Sequence, residues 1–599
     1  MCSAIEGYLK ETWAVGTTWR ESIAAPGIKS YAASTKSPVT FIFDGAQHVA
    51  QFIPLVCEFD RTGLTDIQII ATGKQRGLSA AALLESLQEK NPACAAGVTV
   101  HDLDIGFSSA DTSIFLNQAT HAFAHLFSLI EPRVTIYVDH NGPAKRSIQA
   151  AAELTKTVAI GLPPRDILHA LWMANLPAES LSKWNDFTVK LVIITDRKPQ
   201  SLARLIRSAA RAHYFGDTVD MAIVMEQSSD RVTQAFVNNL PWPHGNKDLR
   251  HRITKVNRMP VYVESWYPAD DHEYGIILDD SVELSEMFYV WTKYAILRYR
   301  YGHDLPDDAK AMFGISLYSP HMLESDPNGR RLFEPSSALV SNEYDAGSPY
   351  LMQASNSFGG AVYFPEHWRE FHDFITARVT DINKKQLQNV TVPNARSSQW
   401  VNSWKRFMDE LIFMRAYVML YPNFENYVSL STSHLELGSH VMGDYSQAAA
   451  LLRVPLLTGD QEPLQRQLPG HQLPTWYSLP VLDLWGNVEP MSILRERGMA
   501  LQRSVSSCTP LGLKDHLHDP SDLLCPSAKL VAVPVTSEDD PVPDFATRVV
   551  TVFVDAEATP DPQHATADAQ NTEQTIDDDD NDDDDNNNNG SNNEEVLRN

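Results

Sequence analysis

Apolar and polar positions alternate in blocks along the first third of the chain. Short β-branched runs, VTFIF (39–43), IQIIATG (67–73), VTVHDLD (98–104), VTIYVDH (134–140) and TVAIGL (157–162), are separated by stretches of helical period such as LSAAALLESLQEK and FLNQATHAFAHLFSLI. Strands alternating with amphipathic helices predict a parallel sheet covered on both faces, here a Rossmann-like α/β region over 38–180. No GxGxxG is present, so a dinucleotide site is not predicted. Asp44, Asp104 and Asp139 fall at or near strand ends, the edge where α/β proteins place ligands, although ordinary loop caps occupy the same positions.

A second alternating block begins at VKLVIITDRKPQSLARLIRSAARAHYFGD. Its strand runs to Thr195, with Asp196 and Arg197 at the carboxyl edge and a basic amphipathic helix carrying Arg204, Arg207 and Arg211 beyond. The next strand, VDMAIVMEQ, ends on Glu226, and a turn-rich segment leads to Arg250 and Arg252. In YGIILDDSVELSEMFYVW (274–291) an apolar strand then runs into two adjacent carboxylates, Asp279 and Asp280. Two like charges at a strand end repel unless a metal ion, an arginine or solvent separates them. A second explanation is helix capping, since acidic groups ahead of SEMFYVWTKYAIL favour the macrodipole. If the carboxylates serve a ligand, Asp280 is expected to face solvent at the sheet edge. Further on, a Gly pair (Gly359, Gly360) precedes a strand, and WVNSWKRFMDELIFMRAYVMLYPNF (400–424) reads as a long amphipathic helix bearing Asp409 and Glu410. His434 and His440 lie in SLSTSHLELGSHV (429–441). From about 445 the chain becomes Pro- and Gln-rich, and 446–505 reads as an appended segment.

Composition changes this picture in three places. The formal charge of −27 over 599 residues is concentrated at one end: residues 571–599 hold eleven acidic side chains against one Arg. That stretch has almost no apolar surface to offset its ordering entropy, so 556–599 is expected to be a disordered Asp/Asn-rich tail. The acidic balance, with no basic arm, argues against nucleic acid as a partner. The apolar runs fall short of the roughly 20 residues that span a bilayer, and the N-terminus lacks the pattern of a signal peptide. Five widely spaced cysteines without a CxxC read as thiols of a reducing compartment.

The carboxylates then suggest a chemistry. Transfer from a sugar nucleotide releases a diphosphate whose charge must be neutralised, by a divalent metal on carboxylates or by Arg and Lys. Hard oxygen ligands suit Mg²⁺ or Mn²⁺. An inverting transfer also needs a carboxylate to take the proton of the acceptor hydroxyl.

The stretches SLARLIRSAARAHYFGD, LPWPHGNKDLRHRI, ESWYPADDHEYGIILDDSVELSEMFYVWTKYAIL, GGAVYFPEHWREF, SWKRFMDELIFMRAYVMLYPNF and LSTSHLELGSH lie in order within 188–445. Together they resemble a largely uncharacterised family of fungal and plant glycosyltransferases of family 2 type, with a GT-A fold. The N-terminal α/β region and LPVLDLWGN resemble the fungal branch. The resemblance implies a GT-A-like domain over 188–445, a UDP- or GDP-sugar donor, a glycan acceptor and a Golgi location; a cytoplasmic location is the alternative, because this chain shows no anchor. It places the family's acidic motif on Asp279, Asp280, Ser281, Val282 and Glu283, with Ser281 where an Asp is expected. It implies Asp280 and His434 as metal contacts and Glu410 as catalytic base. Thr195, Asp196, Glu226, Arg250, Arg252 and Asp279 would contact the nucleotide sugar. Because of Ser281, two alternatives stay open: a metal-free site using Arg250 or Arg252, and a relative that binds without catalysing.

Overall fold

The structure, a computed structural model, describes residues 36–505 except 46–47, 73–77, 104, 106–112, 141–142, 257, 357–358, 385–389, 435–451 and 460–462. The acidic tail and His440 lie outside the described residues.

The chain is mixed α/β. Five strands, β1 (Pro38–Phe43), β2 (Asp66–Ala71), β3 (Val98–Asp102), β4 (Val134–Val138) and β5 (Val158–Leu162), form an all-parallel sheet in the order β3-β2-β1-β4-β5. The Rossmann-like region expected from the apolar runs is therefore present. β4 is buried along its whole length, which is why its sequence is nearly continuous in apolar and β-branched residues rather than alternating.

The cysteines behave differently from the reading of their spacing. Cys57, on the helix Val49–Thr62, and Cys94, on the helix Pro92–Gly97, form a disulfide with a Cα–Cα distance of 5.2 Å. Thirty-seven residues of sequence separate them, so only the packing of the two helices brings the thiols together. The expectation of a reducing compartment loses its basis.

Residues 163–187 join the two sheets as a buried seam. Trp172, Met173, Leu176, Leu181 and Trp184 are all inaccessible to solvent, and the indoles of Trp172 and Trp184 stack with centroids 5.8 Å apart. One continuous hydrophobic cluster runs from Val39 of β1 through this seam to Leu420 and Leu494. The sheets thus share a core.

The larger sheet contains nine strands. In chain order its first four are β6 (Thr188–Thr195), β7 (Asp220–Met225), β8 (Lys247–His251) and β9 (Glu273–Asp279). The short β10 (Val282–Leu284) leaves the sheet, β11 (Met312–Ser316) returns to it, and β12 (Met322–Leu323) pairs with β13 (Arg331–Leu332) as a small ribbon. β14 (Tyr350–Met352), β15 (Ala361–Tyr363) and β16 (Val418–Tyr421) follow; β17 (Ser431–Ser433) pairs with β10, and β18 (Val481–Leu482) closes the large sheet at one edge. The order is β18-β14-β16-β11-β15-β9-β6-β7-β8. β8, β7, β6 and β9 run parallel, β15 is antiparallel to β9 and β11, and β16 is parallel to β11. The carboxyl ends of β6, β7, β8, β9, β11 and β16 therefore share one edge.

The segment read as an appendage is built into this sheet. β18 pairs with β14, and the helix Met491–Val505 lies on the helix Trp404–Arg415. Gly498 permits that contact, because a Cβ there would sit 2.4 Å from the carbonyl oxygen of Phe413.

Candidate functional site

β6 and β9 are neighbours, and their register sets Ile194 opposite Asp279. One residue beyond, the amide of Asp280 donates to the carbonyl of Ile194 at 3.1 Å, and Thr195 Oγ1 donates to Asp280 Oδ2 at 2.9 Å. Lys198 Nζ stands 3.9 Å from Asp280 Oδ1, just ahead of the helix Pro199–Arg211. Asp280 is buried, contrary to the solvent-facing position expected for it, while Asp279 is exposed at the strand end. Alternation along the strand turns one carboxylate outward and leaves the next beneath the β6 loop. Burial pushes the Asp280 carboxyl up to about 6; Asp279 adds to the rise, whereas Lys198, Thr195 and the Asp196 amide oppose it. The surrounding protein also raises the carboxyl of Asp279, against the opposing charges of Arg258 and Lys198.

The capping explanation fails. Strand β10 intervenes between the aspartates and the helix Phe288–Tyr299, and the amide of Met287 is instead satisfied by Ser285 Oγ at 3.0 Å.

Other expected residues gather along the same edge. Asp196 Oδ1 accepts from Ser228 Oγ at 2.8 Å, and its carbonyl accepts from Ser229 Oγ at 2.8 Å. The amide of Glu226 donates to the carbonyl of Thr195 at 3.0 Å. Burial raises the Glu226 carboxyl, with Arg252 opposing and Asp196 reinforcing, and its Oε1 is buried without a hydrogen-bond partner among the described residues. Arg252 pairs with Glu264 at 2.9 Å, and the exposed Arg250 reaches the carbonyl of Ser265 at 3.5 Å. Lys198, a cation at the aspartates, is a residue the sequence reading missed. Its position directly before Pro199, where a helix opens after the strand, was the available signal.

His434 stands at the same turn but is engaged elsewhere. Its amide donates to the carbonyl of Ser281 at 2.9 Å, while Nε2 lies 2.6 Å from Glu283 Oε2, which Arg204 approaches at 4.0 Å. Burial lowers the imidazole pKa, against the raising effect of Glu283. Among the described residues no three His, Cys, Asp or Glu side chains converge on a point that could hold a metal ion. The ligand set Asp280 plus His434 is thus not assembled. Asp279 and Asp280 turn to opposite sides of the strand end, so among the described residues Asp279 is the exposed carboxylate at this edge and Asp280 is engaged by Thr195.

Glu410 is not placed to be a base for a substrate. It is fully buried on the helix Trp404–Arg415, with Oε2 accepting from Arg378 Nε and Oε1 from Arg406 Nε, each at 3.0 Å. A carboxylate enclosed between two guanidinium groups holds the helix Pro365–Lys384 to its own helix. The neighbouring Asp409 is also buried and accepts from Ser325 Oγ at 3.0 Å. The amphipathic pattern concealed this, because charged residues that pair inside a core read as a polar face.

The remaining candidates are structural. A Cβ on Gly359 would lie 2.2 Å from Tyr318 Cβ, and one on Gly360, whose φ is +79°, would lie 2.3 Å from Leu278 Cδ2. The glycines therefore accommodate the protein's own strand ends. In the N-terminal sheet Asp44 pairs with His140 at 2.5 Å and Asp139 with Lys145 at 2.7 Å, closing the edge where β1 and β4 diverge. Asp104 lies outside the described residues.

Comparison with known proteins gives two family matches. Residues 23–184 match the SPBC1E8.03c N-terminal domain, and residues 198–319, which include Lys198, Asp279 and Asp280, match the SPBC1E8.03c C-terminal domain. None of the curated proteins matches. Among solved structures, residues 1–349 of TarS from S. aureus are 12% identical at a TM-score of 0.19; the match covers 40% of this chain and 58% of that one. MurG from Acinetobacter baumannii is 12% identical at a TM-score of 0.17, covering 38% of this chain and 69% of its own. A UDP-GlcNAc 2-epimerase from Neisseria meningitidis, bound to UDP-GlcNAc, is 11% identical at a TM-score of 0.18, covering 36% and 72%. No residue assignment rests on these three.

Proposed function

We propose that the chain is a glycosyltransferase that moves a sugar from a UDP- or GDP-sugar to a hydroxyl of a glycan. The observation that carries this reading is the carboxyl edge of β6 and β9, where Asp279 and Asp280 stand beside Lys198 and Thr195. Ligands of open α/β sheets favour that edge. The GT-A-like reading draws support from the strand order. Four parallel strands form one half, and the antiparallel β15 joins it to β11 and β16, so two substrates could lie side by side along one edge.

In this reading Lys198 offsets the charge of the departing diphosphate, and the buried Thr195–Asp280 bond fixes the carboxylate that faces it. A divalent cation, where used, would supply further charge neutralisation, held by the exposed Asp279 together with water and the donor's phosphates. Glu226 and Asp196 present acceptors on the neighbouring strand ends for the base and ribose, with Arg250 and Arg252 alongside. The disulfide suits an oxidising compartment, in line with the Golgi location the resemblance implies. Among the described residues no helix is long and apolar enough to cross a membrane.

A second reading, a nucleotide-sugar-binding protein without transferase activity, is favoured by the enclosure of Glu410 and by Ser281 in place of a carboxylate. Titration with UDP- and GDP-sugars, with and without Mn²⁺, followed by assays of donor hydrolysis and transfer, separates the two. Binding with turnover supports the transferase, binding without turnover the second reading, and no binding overturns both.

A further inference from the structure

The acceptor hydroxyl of a sugar transfer must give up a proton, and the enclosure of Glu410 leaves that role open. A histidine and a carboxylate stand together at the edge itself. β10 follows the carboxyl end of β9 and pairs antiparallel with β17, with Val282 opposite Ser433 and Glu283 opposite Thr432. One step further, the amide of His434 donates to the carbonyl of Ser281, two residues past Asp279. Side chains alternate along such a ribbon, so Ser281, Glu283, Thr432 and His434 share one face. On that face Glu283 Oε2 lies 2.6 Å from His434 Nε2. The two side chains are 32% and 16% exposed, against 1% for Glu410, so both reach the surface.

We propose that His434 is the general base of the transfer and that Glu283 is its positioning residue. An ionised carboxylate only accepts, so the contact with Glu283 makes Nε2 the donor and leaves the ring's lone pair on Nδ1. Among the described residues Nδ1 makes no hydrogen bond. It takes the proton of the acceptor hydroxyl as that oxygen bonds to the anomeric carbon. The bond from this carbon to the diphosphate oxygen breaks, and its electron pair leaves with the diphosphate, whose charge Lys198 offsets. The imidazolium so formed faces Glu283, which stabilises it until the proton passes to solvent.

The surroundings keep the ring ready to accept. Burial lowers its pKa, Glu283 opposes, and Arg204 and Arg453 add to the fall. Arg204 comes from the helix Pro199–Arg211 and stands 4.0 Å from Glu283. Arg453 precedes Val454, whose amide donates to Thr432 Oγ1 at 2.8 Å, so it approaches from the other side of β17. The ring is therefore neutral near pH 7, as a base must be, and one carboxylate is in place to hold the charge it acquires. The role rests on the transferase reading, because a base has no work in a protein that only binds.

The test uses the full chain, with UDP-GlcNAc, UDP-glucose, UDP-galactose and GDP-mannose as donors and water or methyl glycosides as acceptors. Release of UDP or GDP is followed, and the affinity for each nucleotide is titrated separately. His434→Gln is expected to lower kcat at least about a hundredfold while leaving nucleotide affinity within about twofold. The wild-type rate should fall on the acid side as the ring gains its proton. Glu283→Gln removes the charge that favours the protonated ring, so it should move this acid limb to lower pH. Arg204→Met removes an opposing charge and should move the limb to higher pH. A pair that only held the ribbon together would lower the rate without moving the limb. Should His434→Gln fail to fold, the opposed shifts of the two neighbours decide the question. A smaller loss in folded His434→Gln, or a limb that stays in place in both neighbours, overturns the proposal and leaves the transferase standing. A wild type that binds nucleotide without turnover removes the transferase reading, and the base with it.

Discussion

Replacing Glu410 with Gln takes one negative charge from between two guanidinium groups while keeping the side chain's shape. Arg378 is wholly buried and Arg406 is about one-sixth exposed, so neither charge is fully rehydrated in place. Breaking a buried ion pair by neutralising one partner costs about 3–5 kcal/mol. The amide oxygen of Gln can still accept from one arginine, which places Glu410→Gln at the lower end, near 3 kcal/mol. Arg406→Met should cost less, because Glu410 keeps its bond to Arg378 and the lost bond is partly solvent-screened; about 1 kcal/mol is expected. The two substitutions share a partner, so their effects should not add, with a coupling within about 0.5–3 kcal/mol. Urea unfolding followed by tryptophan fluorescence reads these differences, since Trp368 and Trp404 belong to the layer that holds this helix. UDP affinity should stay unchanged in the folded variants. If Glu410→Gln unfolds within 0.5 kcal/mol of the wild type yet loses sugar transfer with UDP binding intact, the structural assignment is wrong and Glu410 is the base.

Asp280 yields a pH prediction of definite sign. Its carboxyl is raised from 3.8 to about 6, so between those values the folded state keeps a proton that the unfolded state has lost. Its contribution therefore favours folding at low pH and falls as pH rises toward 6, by up to about 3 kcal/mol; Asp280→Asn should flatten that slope in thermal melts from pH 4 to 8 and raise stability at pH 8. A melt of the variant that keeps the wild-type slope would refute the burial argument. Lys198→Met should weaken UDP binding at least tenfold and leave the melting temperature within about two degrees; retained affinity would move the phosphate contact to Arg250 or Arg252. Reducing the Cys57–Cys94 disulfide, which closes a span of 37 residues, should lower stability by about 2–4 kcal/mol, read as a melting shift with and without dithiothreitol; no shift would mean the thiols are not paired.

Where a residue's position followed from its strand, the sequence placed it at the right strand end. Thr195, Asp196, Glu226, Asp279 and Asp280 were assigned to strand ends from apolar runs, and they stand together because β6, β7 and β9 are parallel neighbours. Where a role depended on a long-range partner, the sequence misled. Glu410 reads as an exposed helix acid until Arg378, thirty-two residues away, is seen on its carboxylate. His434 reads as a ligand until Glu283 claims its ring. The disulfide and the shared core have the same origin.

The amino-acid sequence by itself determined the alternation of strands and helices and the strand ends that bear carboxylates, because the periods of apolar residues are local properties of the backbone. Only the tertiary structure decided which charges face each other. It turned Asp280 inward and Asp279 outward, set Lys198 beside them, enclosed Glu410, and built β18 and the helix Met491–Val505 into the large sheet. Whether a charged side chain works on a substrate or holds the core depends on what packs against it, and that is fixed by contacts between residues far apart in the chain.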